Sequence, residues 1–114
     1  MSDDGNQRRA ERKQIRDMIL VENAISGLSM GRIGNLSRSG MMVICSERLE
    51  DDALYQIRFV LPTNGNDDAA PIEVGVHEQW TEQAAVPGQF WSGLRIIDIS
   101  PEADDLLTTW LESA

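Results

Sequence analysis

The sequence predicts a mainly β domain, a small barrel of short strands followed by one C-terminal helix and preceded by a basic arm. Three observations point to it. Apolar residues recur in short runs or at alternate positions across 18–21, 30–36, 41–45, 54–61, 72–80 and 90–99, the pattern of strands rather than helices. Turn formers punctuate those runs, among them Gly27, Gly40, Asn64-Gly65 and Pro87-Gly88. Only after Ser100 do the large apolar residues switch to spacings of three and four.

The elements follow in order. Residues 1–7 hold no large apolar side chain beyond Met1 and cannot contribute to a core. Arg8, Arg9, Arg12, Lys13 and Arg16 then crowd into nine positions. As a helix this segment would stack Arg8, Arg12 and Arg16 on one face, where they repel; a flexible arm that orders on an anion is the better expectation. Met18-Ile19-Leu20-Val21 is long enough for a first strand, and Asn23–Ser29 is turn-rich. Met30–Leu36 forms the second, with Ile33 and Leu36 apolar, and Met41–Cys45 the third. Leu54, Ile57, Phe59 and Leu61 mark the fourth, closed by Pro62. Thr63–Pro71 reads as a loop. Ile72, Val74 and Val76 alternate in the fifth strand, which runs on to Trp80. After the loop Gln83–Gln89, Phe90–Ile99 is the sixth, with Leu94, Ile96 and Ile97 expected in the core. Ser100 caps the helix, Pro101 suits its first position, and Glu102, Asp104 and Asp105 favour its positive end. Leu106, Leu107, Trp110 and Leu111 make its apolar face, and Trp91 and Trp110 read as structural. These parts form one domain: arm 1–16, barrel 17–99 and helix 100–114.

Composition narrows the function. At 114 residues the chain fits a single domain. No apolar run nears the roughly 20 residues that span a bilayer, and the polar, acidic start is no signal peptide. A single cysteine, Cys45, excludes an internal disulfide. A cytoplasmic protein with no membrane insertion is expected. Charge is unevenly spread. Residues 1–38 hold seven Lys and Arg against five Asp and Glu, whereas residues 39–114 hold three against fourteen, within a net −9. That acidity argues against DNA as a partner. It leaves room for a small anion met by the arm.

Catalysis has little support. His77 is the only histidine and falls in a strand pattern, so zinc-ligand spacing is absent. Cys45 ends an apolar run and reads as a small core residue. Asp51-Asp52 and Asp67-Asp68 read as solvated loops. No phosphate-loop or dinucleotide fingerprint occurs. The chain is expected not to be an enzyme and to carry no metal or cofactor.

Two motifs remain. Arg8-Arg9-Ala10-Glu11-Arg12 reads RRxxR, and Asn35-Leu36-Ser37-Arg38-Ser39-Gly40 reads NxSxxG. In that order and at that separation they resemble the RxxxR and (D/N)xSxxG elements of PilZ domains. Residues 72–80 and 93–98 also look like later strands of that family. The resemblance implies a six-stranded antiparallel PilZ-type barrel. It also implies a receptor for cyclic di-GMP that binds through Arg8, Arg9, Arg12, Asn35, Ser37 and Gly40 and signals to an unidentified downstream protein.

The residue chemistry agrees with that ligand. Guanidiniums pair bidentately with phosphates or guanine edges and stack on purines. Asn35 and Ser37 offer hydrogen bonds, and Gly40 permits positive φ and a close backbone N–H. Arg12-x-x-x-Arg16 is an alternative register for the arginine pair. Trp80 fits a place where some PilZ domains set an aromatic against guanine, and equally a core position. Arg38 and Arg32 flank the turn and suit phosphate contacts or plain solvent exposure. Asp98-Ile99-Ser100 repeats the start of the second motif, but Pro101 follows it and no glycine completes it. The ligand can be one nucleotide or a stacked pair. Two other readings stand beside this one: a PilZ-like interaction module that binds no nucleotide, and a barrel whose basic arm binds nucleic acid.

Overall fold

The computed structural model describes residues 12–14, 18–62 and 71–113. Its strands are β1 (Arg12–Gln14), β2 (Leu20–Asn23), β3 (Ser29–Ser37), β4 (Gly40–Cys45), β5 (Leu54–Val60), β6 (Pro71–Gln83) and β7 (Phe90–Ile99), followed by helix α1 (Pro101–Glu112). Neighbours in the sheet run β1-β3-β2-β5-β6-β7-β4, and β4 pairs back onto β3. Strands β2–β7 therefore close a six-stranded barrel, antiparallel at every joint. Closure leaves these strands few open edges. Strand β1 was not foreseen as a strand. It lies outside the closed ring, along the C-terminal half of β3.

Alternation builds the core. Ile33, Val43, Ile57, Phe59, Val74 and Val76 point inward and are almost fully buried, as period-2 patterning requires. Besides an irregularity between Val21 and Glu22 where β2 meets β3, three register shifts interrupt the alternation. One falls at Gly34, between the pairs Ile33–Val43 and Asn35–Met42. The second falls at Gln79, between Glu78–Leu94 and Trp80–Gly93. The third falls at Ile97, between Asp98–Gly75 and Ile96–Val76. Ile97 was expected in the core, but as the extra residue of that bulge it is 48% exposed.

Helix α1 starts where its capping chemistry places it. The Ser100 hydroxyl accepts the Ala103 N–H at 3.1 Å, and Pro101 occupies the first turn. Ala103, Leu107 and Leu111 form the buried stripe. Leu106, expected on that face, is exposed instead, because it sits one residue off the stripe. Burying Leu107 alone contributes about 1.5–3 kcal/mol. Trp110 ties the helix to the end of β5 by donating its indole N–H to the Pro62 carbonyl at 2.9 Å. Trp91 is half-buried, and its ring packs 3.2 Å from where a Gly34 Cβ would stand.

A polar thread crosses the barrel wall. Glu78 is buried, and its carboxylate accepts the Asp52 N–H at 2.7 Å and the Thr81 hydroxyl at 2.6 Å. Thr81 continues to Ser92 at 3.0 Å, which bonds Cys45. Burial pushes the Cys45 thiol up, and the Ser92 bond only partly offsets it. A thiol so held is a poor nucleophile, in keeping with the core role expected for it.

Glu78 thus braces the turn at Asp52, a non-glycine residue at φ +63°. Truncating Glu78→Ala removes the acceptor of the Asp52 N–H, leaves the Thr81 hydroxyl with Ser92 alone, and opens a void. An expected loss of about 2–4 kcal/mol follows, read as a lower urea midpoint. Glu78→Gln, which keeps an acceptor, should lose less. Equal midpoints for wild type and Glu78→Ala would show that the carboxylate carries no such load.

Candidate functional site

The turn between β3 and β4 is built around one hydroxyl. Ser37 is 3% exposed, and its Oγ accepts the N–H groups of Ser39 at 3.3 Å and Gly40 at 3.2 Å. The same oxygen lies 3.2 Å from the Gly40 carbonyl and 3.2 Å from the Ser39 hydroxyl. Ser37 therefore spends its hydrogen-bonding capacity on shaping the turn. The Ser39 carbonyl in turn accepts the Ile96 N–H at 2.8 Å, which fastens the turn to β7.

Gly40 serves a different purpose from the one its motif suggested. Its φ is not positive; among the described glycines only Gly27, Gly31 and Gly88 have that geometry. A Cβ at Gly40 would overlap the Leu94 carbonyl oxygen and stand 3.4 Å from the Arg95 Cα. Glycine is needed so that β4 and β7 can approach, and its N–H is already given to Ser37. Arg38 projects from the turn and lies 3.8 Å from the Asp104 carboxylate of α1, with its side chain 56% exposed. Such a surface pair contributes about 0–1 kcal/mol and leaves the guanidinium available.

Beside the turn, cross-strand pairing lines up a row of residues. Gln14 pairs with Asn35, Asn35 with Met42, Met42 with Gly93 and Gly93 with Trp80. Directly opposed residues share a face of a sheet. For Asn35, Met42, Gly93 and Trp80 that face is the outer wall, since the neighbours Leu36, Met41, Val43 and Leu94 are buried inside.

The bulges at Gly34 and Gln79 set this arrangement. Uninterrupted alternation from Ile33 would turn Asn35 inward, and from Glu78 would turn Trp80 inward; each extra residue reverses the side. Trp80, which fitted either a core or a ligand-facing role in the sequence, is 42% exposed. Its indole leans over Gly93, with Cζ2 at 2.9 Å from where a Cβ on Gly93 would stand. Met42 and Trp91 meet over Gly34 on the same wall. Among the described residues the Asn35 amide makes no hydrogen bond, and it faces this surface half-buried.

The arm motif arrives here through backbone pairing. Arg12 stands in register with Ser37, and Lys13 with Leu36. The two sequence motifs, separated by more than twenty residues, are thus adjacent at Arg12 and Ser37. Arg8, Arg9 and Arg16 lie outside the described residues, as do Asn64-Gly65 and Asp67-Asp68. Sequence reasoning missed Met42, Gly93 and Arg95 as parts of this wall. Arg95 pairs with Gly40 on one side and His77 on the other, and it is exposed. The alternation of β7 could have placed Gly93 and Arg95 on one face, but only the pairing register shows that this face is the one bearing Asn35.

Other features offer less. His77 bonds Asp52 through Nε2 and lies 2.9 Å from the Gln79 amide through Nδ1. Among the described residues no group of three His, Cys, Asp or Glu side chains is placed to hold a metal, and no helix is long and apolar enough to cross a membrane. A groove of about 510 Å³ lies where α1 meets the start of β6 and the end of β7, lined in part by Glu73, Asp98 and Glu102. Its three carboxylates make it a poor host for an anion.

The comparisons bear on the same frame. No curated protein sequence matches the chain significantly. An inhibitor of motility from Bacillus subtilis (MotI/DgrA) superposes with a TM-score of 0.73 at 12% identity, over 93% of this chain and 50% of that one. YcgR from Escherichia coli in complex with c-di-GMP superposes at 0.66 and 16% identity, over 90% and 43%. The PilZ domain of the same YcgR with c-di-GMP superposes at 0.62 and 13% identity, over 90% and 87%. The chain thus spans about half the length of the first two. At these identities the likeness speaks to the fold. The sequence itself matches the family model of the PilZ domain over residues 6–113, and the chain belongs to the PilZ domain family.

Proposed function

We propose that this chain is a receptor for cyclic di-GMP, and that ligand binding closes the N-terminal arm over the outer wall and presents a changed surface to a protein partner. One observation carries the reading: Arg12 is paired with Ser37 beside the row Asn35, Met42, Gly93 and Trp80. That row offers an apolar, aromatic bed with an amide at one end, which suits a purine. The arm brings guanidiniums to the other requirement of the ligand, its two phosphates. The solved YcgR complexes with c-di-GMP, on the same fold, support the choice of ligand.

Each group has a physical task. Arg8, Arg9 and Arg12 pair with phosphates or a guanine edge in charge-assisted, bidentate bonds. The Trp80 indole, seated on Gly93, stacks on a base; such stacking is worth about 1–3 kcal/mol by alanine substitution. Asn35 bonds a base edge, and Arg38 exchanges its weak contact with Asp104 for a phosphate. Ser37 and Gly40 act mainly by fixing the turn. Ordering the arm costs free energy, so net affinity is less than the sum of these contacts. The output follows from the ligand's preference for the arm-closed state. This reading assigns the chain no catalytic step and places it in the cytoplasm, where a nucleotide messenger would be met.

Isothermal titration with cyclic di-GMP, with GTP and cyclic di-AMP as controls, tests the reading. Selective, saturable heat is expected. No heat, together with an unshifted melting temperature at high ligand concentration, leaves a PilZ-shaped interaction module.

Two variants test the site. Replacing Arg8 and Arg12 together by alanine removes two charge-assisted pairs. Affinity should fall about a hundredfold or more while circular dichroism stays unchanged; normal binding by this variant would remove the arm from the site. Trp80→Ala should weaken binding roughly tenfold to a hundredfold, and Trp80→Phe less. Gly93→Ala, whose methyl displaces the indole, should resemble Trp80→Ala. If Gly93→Ala binds like wild type, the indole is not held in place for the ligand.

A further inference from the structure

We infer that Arg95 is a further ligand-contacting residue, one that takes a phosphate on the side of the site away from the arm. The inference rests on the receptor reading above and adds a residue that neither sequence motif contains.

Its position comes from the pairing register. The level of the barrel nearest the turn holds Arg12 beside Ser37 on one side, and Gly40, Arg95 and His77 on the other. Arg95 shares a face of β7 with Gly93, two residues away along the strand, or about 7 Å. Gly93 is the residue beneath the Trp80 indole. Gly40, directly across from Arg95, has no side chain to cover it. Strands β3 and β4 separate Arg95 from Arg12, which puts their backbones three strand spacings apart, about 14 Å. The arm and Arg95 therefore bracket the row of Asn35, Met42 and Gly93 from opposite sides.

Among the described residues its charge is uncommitted. Residues 39–114 contain three cations, Arg48, Arg58 and Arg95, against fourteen carboxylates. Arg58 is held by Glu22 at 3.1 Å and Glu73 at 3.6 Å. Arg48 lies 5.3 Å from the centre of the Phe90 ring and reaches the Thr81 carbonyl at 3.4 Å. Arg95 is exposed and, among the described residues, has no ion pair. Its row neighbour His77 already engages the nearby Asp52 carboxylate. Arg32 likewise has no ion pair among the described residues, but it lies in the row of Ile44 and Trp91, beyond the Gly34 bulge from the turn. A guanidinium left unpaired on an acidic body, facing a bed suited to a purine, matches a phosphate carried by the same ligand.

The test titrates wild type, Arg95→Gln and Arg95→Lys with cyclic di-GMP at low and at high salt, with apo melting temperatures as the fold control. Arg95→Gln should bind about tenfold more weakly and lose part of the salt dependence of wild type. Arg95→Lys, a point charge, should fall between the two. Apo melting should be unchanged, as for other surface positions. Wild-type affinity and salt dependence in Arg95→Gln overturn this inference and leave the receptor reading standing. Equal weakening in both variants with unchanged salt dependence overturns the phosphate assignment and points to a base edge. A wild-type chain that gives no heat and no melting shift overturns the receptor reading and this inference together.

Discussion

Two inserted residues decide what this barrel shows to its surroundings. Gly34 in β3 and Gln79 in β6 each break the alternation of their strand by one position. In a sheet whose inner face is packed, one position is the difference between core and surface. Without the insertion at Gly34, the polar Asn35 would be turned toward a core of Ile33, Leu36 and Val43. Without the insertion at Gln79, the Trp80 indole would have to fit among Val74, Val76 and Leu94. With both, the amide and the indole stand at opposite ends of one cross-strand row. The bulges therefore shape the candidate site, and their residues matter through geometry rather than contact.

Strand β3 supplies the second constraint. It is paired along both edges: β4 runs down one, while β2 and β1 share the other end to end. Barrel closure fixes β3 between β2 and β4, and the leftover edge at Asn35–Ser37 is the place where an incoming strand can satisfy its backbone groups. Arg12–Gln14 occupy it. Main-chain pairing needs no particular side chain, so backbone register alone sets Arg12 beside Ser37. The Ser37 hydroxyl holds the other half of this arrangement by accepting two N–H groups across the turn.

Much of this was legible in the sequence, and the failures share a cause. The six barrel strands and the helix followed from periodicity, and the start of α1 from Ser100 and Pro101, because those signals are local. Ile97 and Leu106 were misplaced because each lies one residue off a stripe that only tertiary pairing defines. Gly40 lacks the positive φ expected of it and is needed instead for a close approach: the Leu94 carbonyl that a Cβ would meet is more than fifty residues away, so the approach left no mark nearby in the sequence. Trp80 could not be assigned a side, since the alternation of Ile72, Val74 and Val76 runs straight toward it and nothing in the sequence announces the bulge. Met42, Gly93 and Arg95 belong to no motif and became visible only as members of rows.

The uneven charge of the chain acquires a structural meaning in this frame. A body with fourteen carboxylates and three cations after residue 38 repels anions in general. Attraction is confined to places where cations are gathered and left unpaired. Arg58 shows the alternative fate, locked between Glu22 and Glu73 on a wall that has no other use for it. The acidic groove beside α1 shows the other extreme, a concavity whose carboxylates disfavour the same class of ligand. The charge and register of the outer wall favour instead the surface between Asn35 and Trp80. In the proposed reading the arm completes the site, because a barrel wall is convex and can enclose a ligand only when another segment of chain closes from above. Enclosure of that kind would tie affinity to arm position, the coupling through which the proposed receptor reports that its ligand is bound.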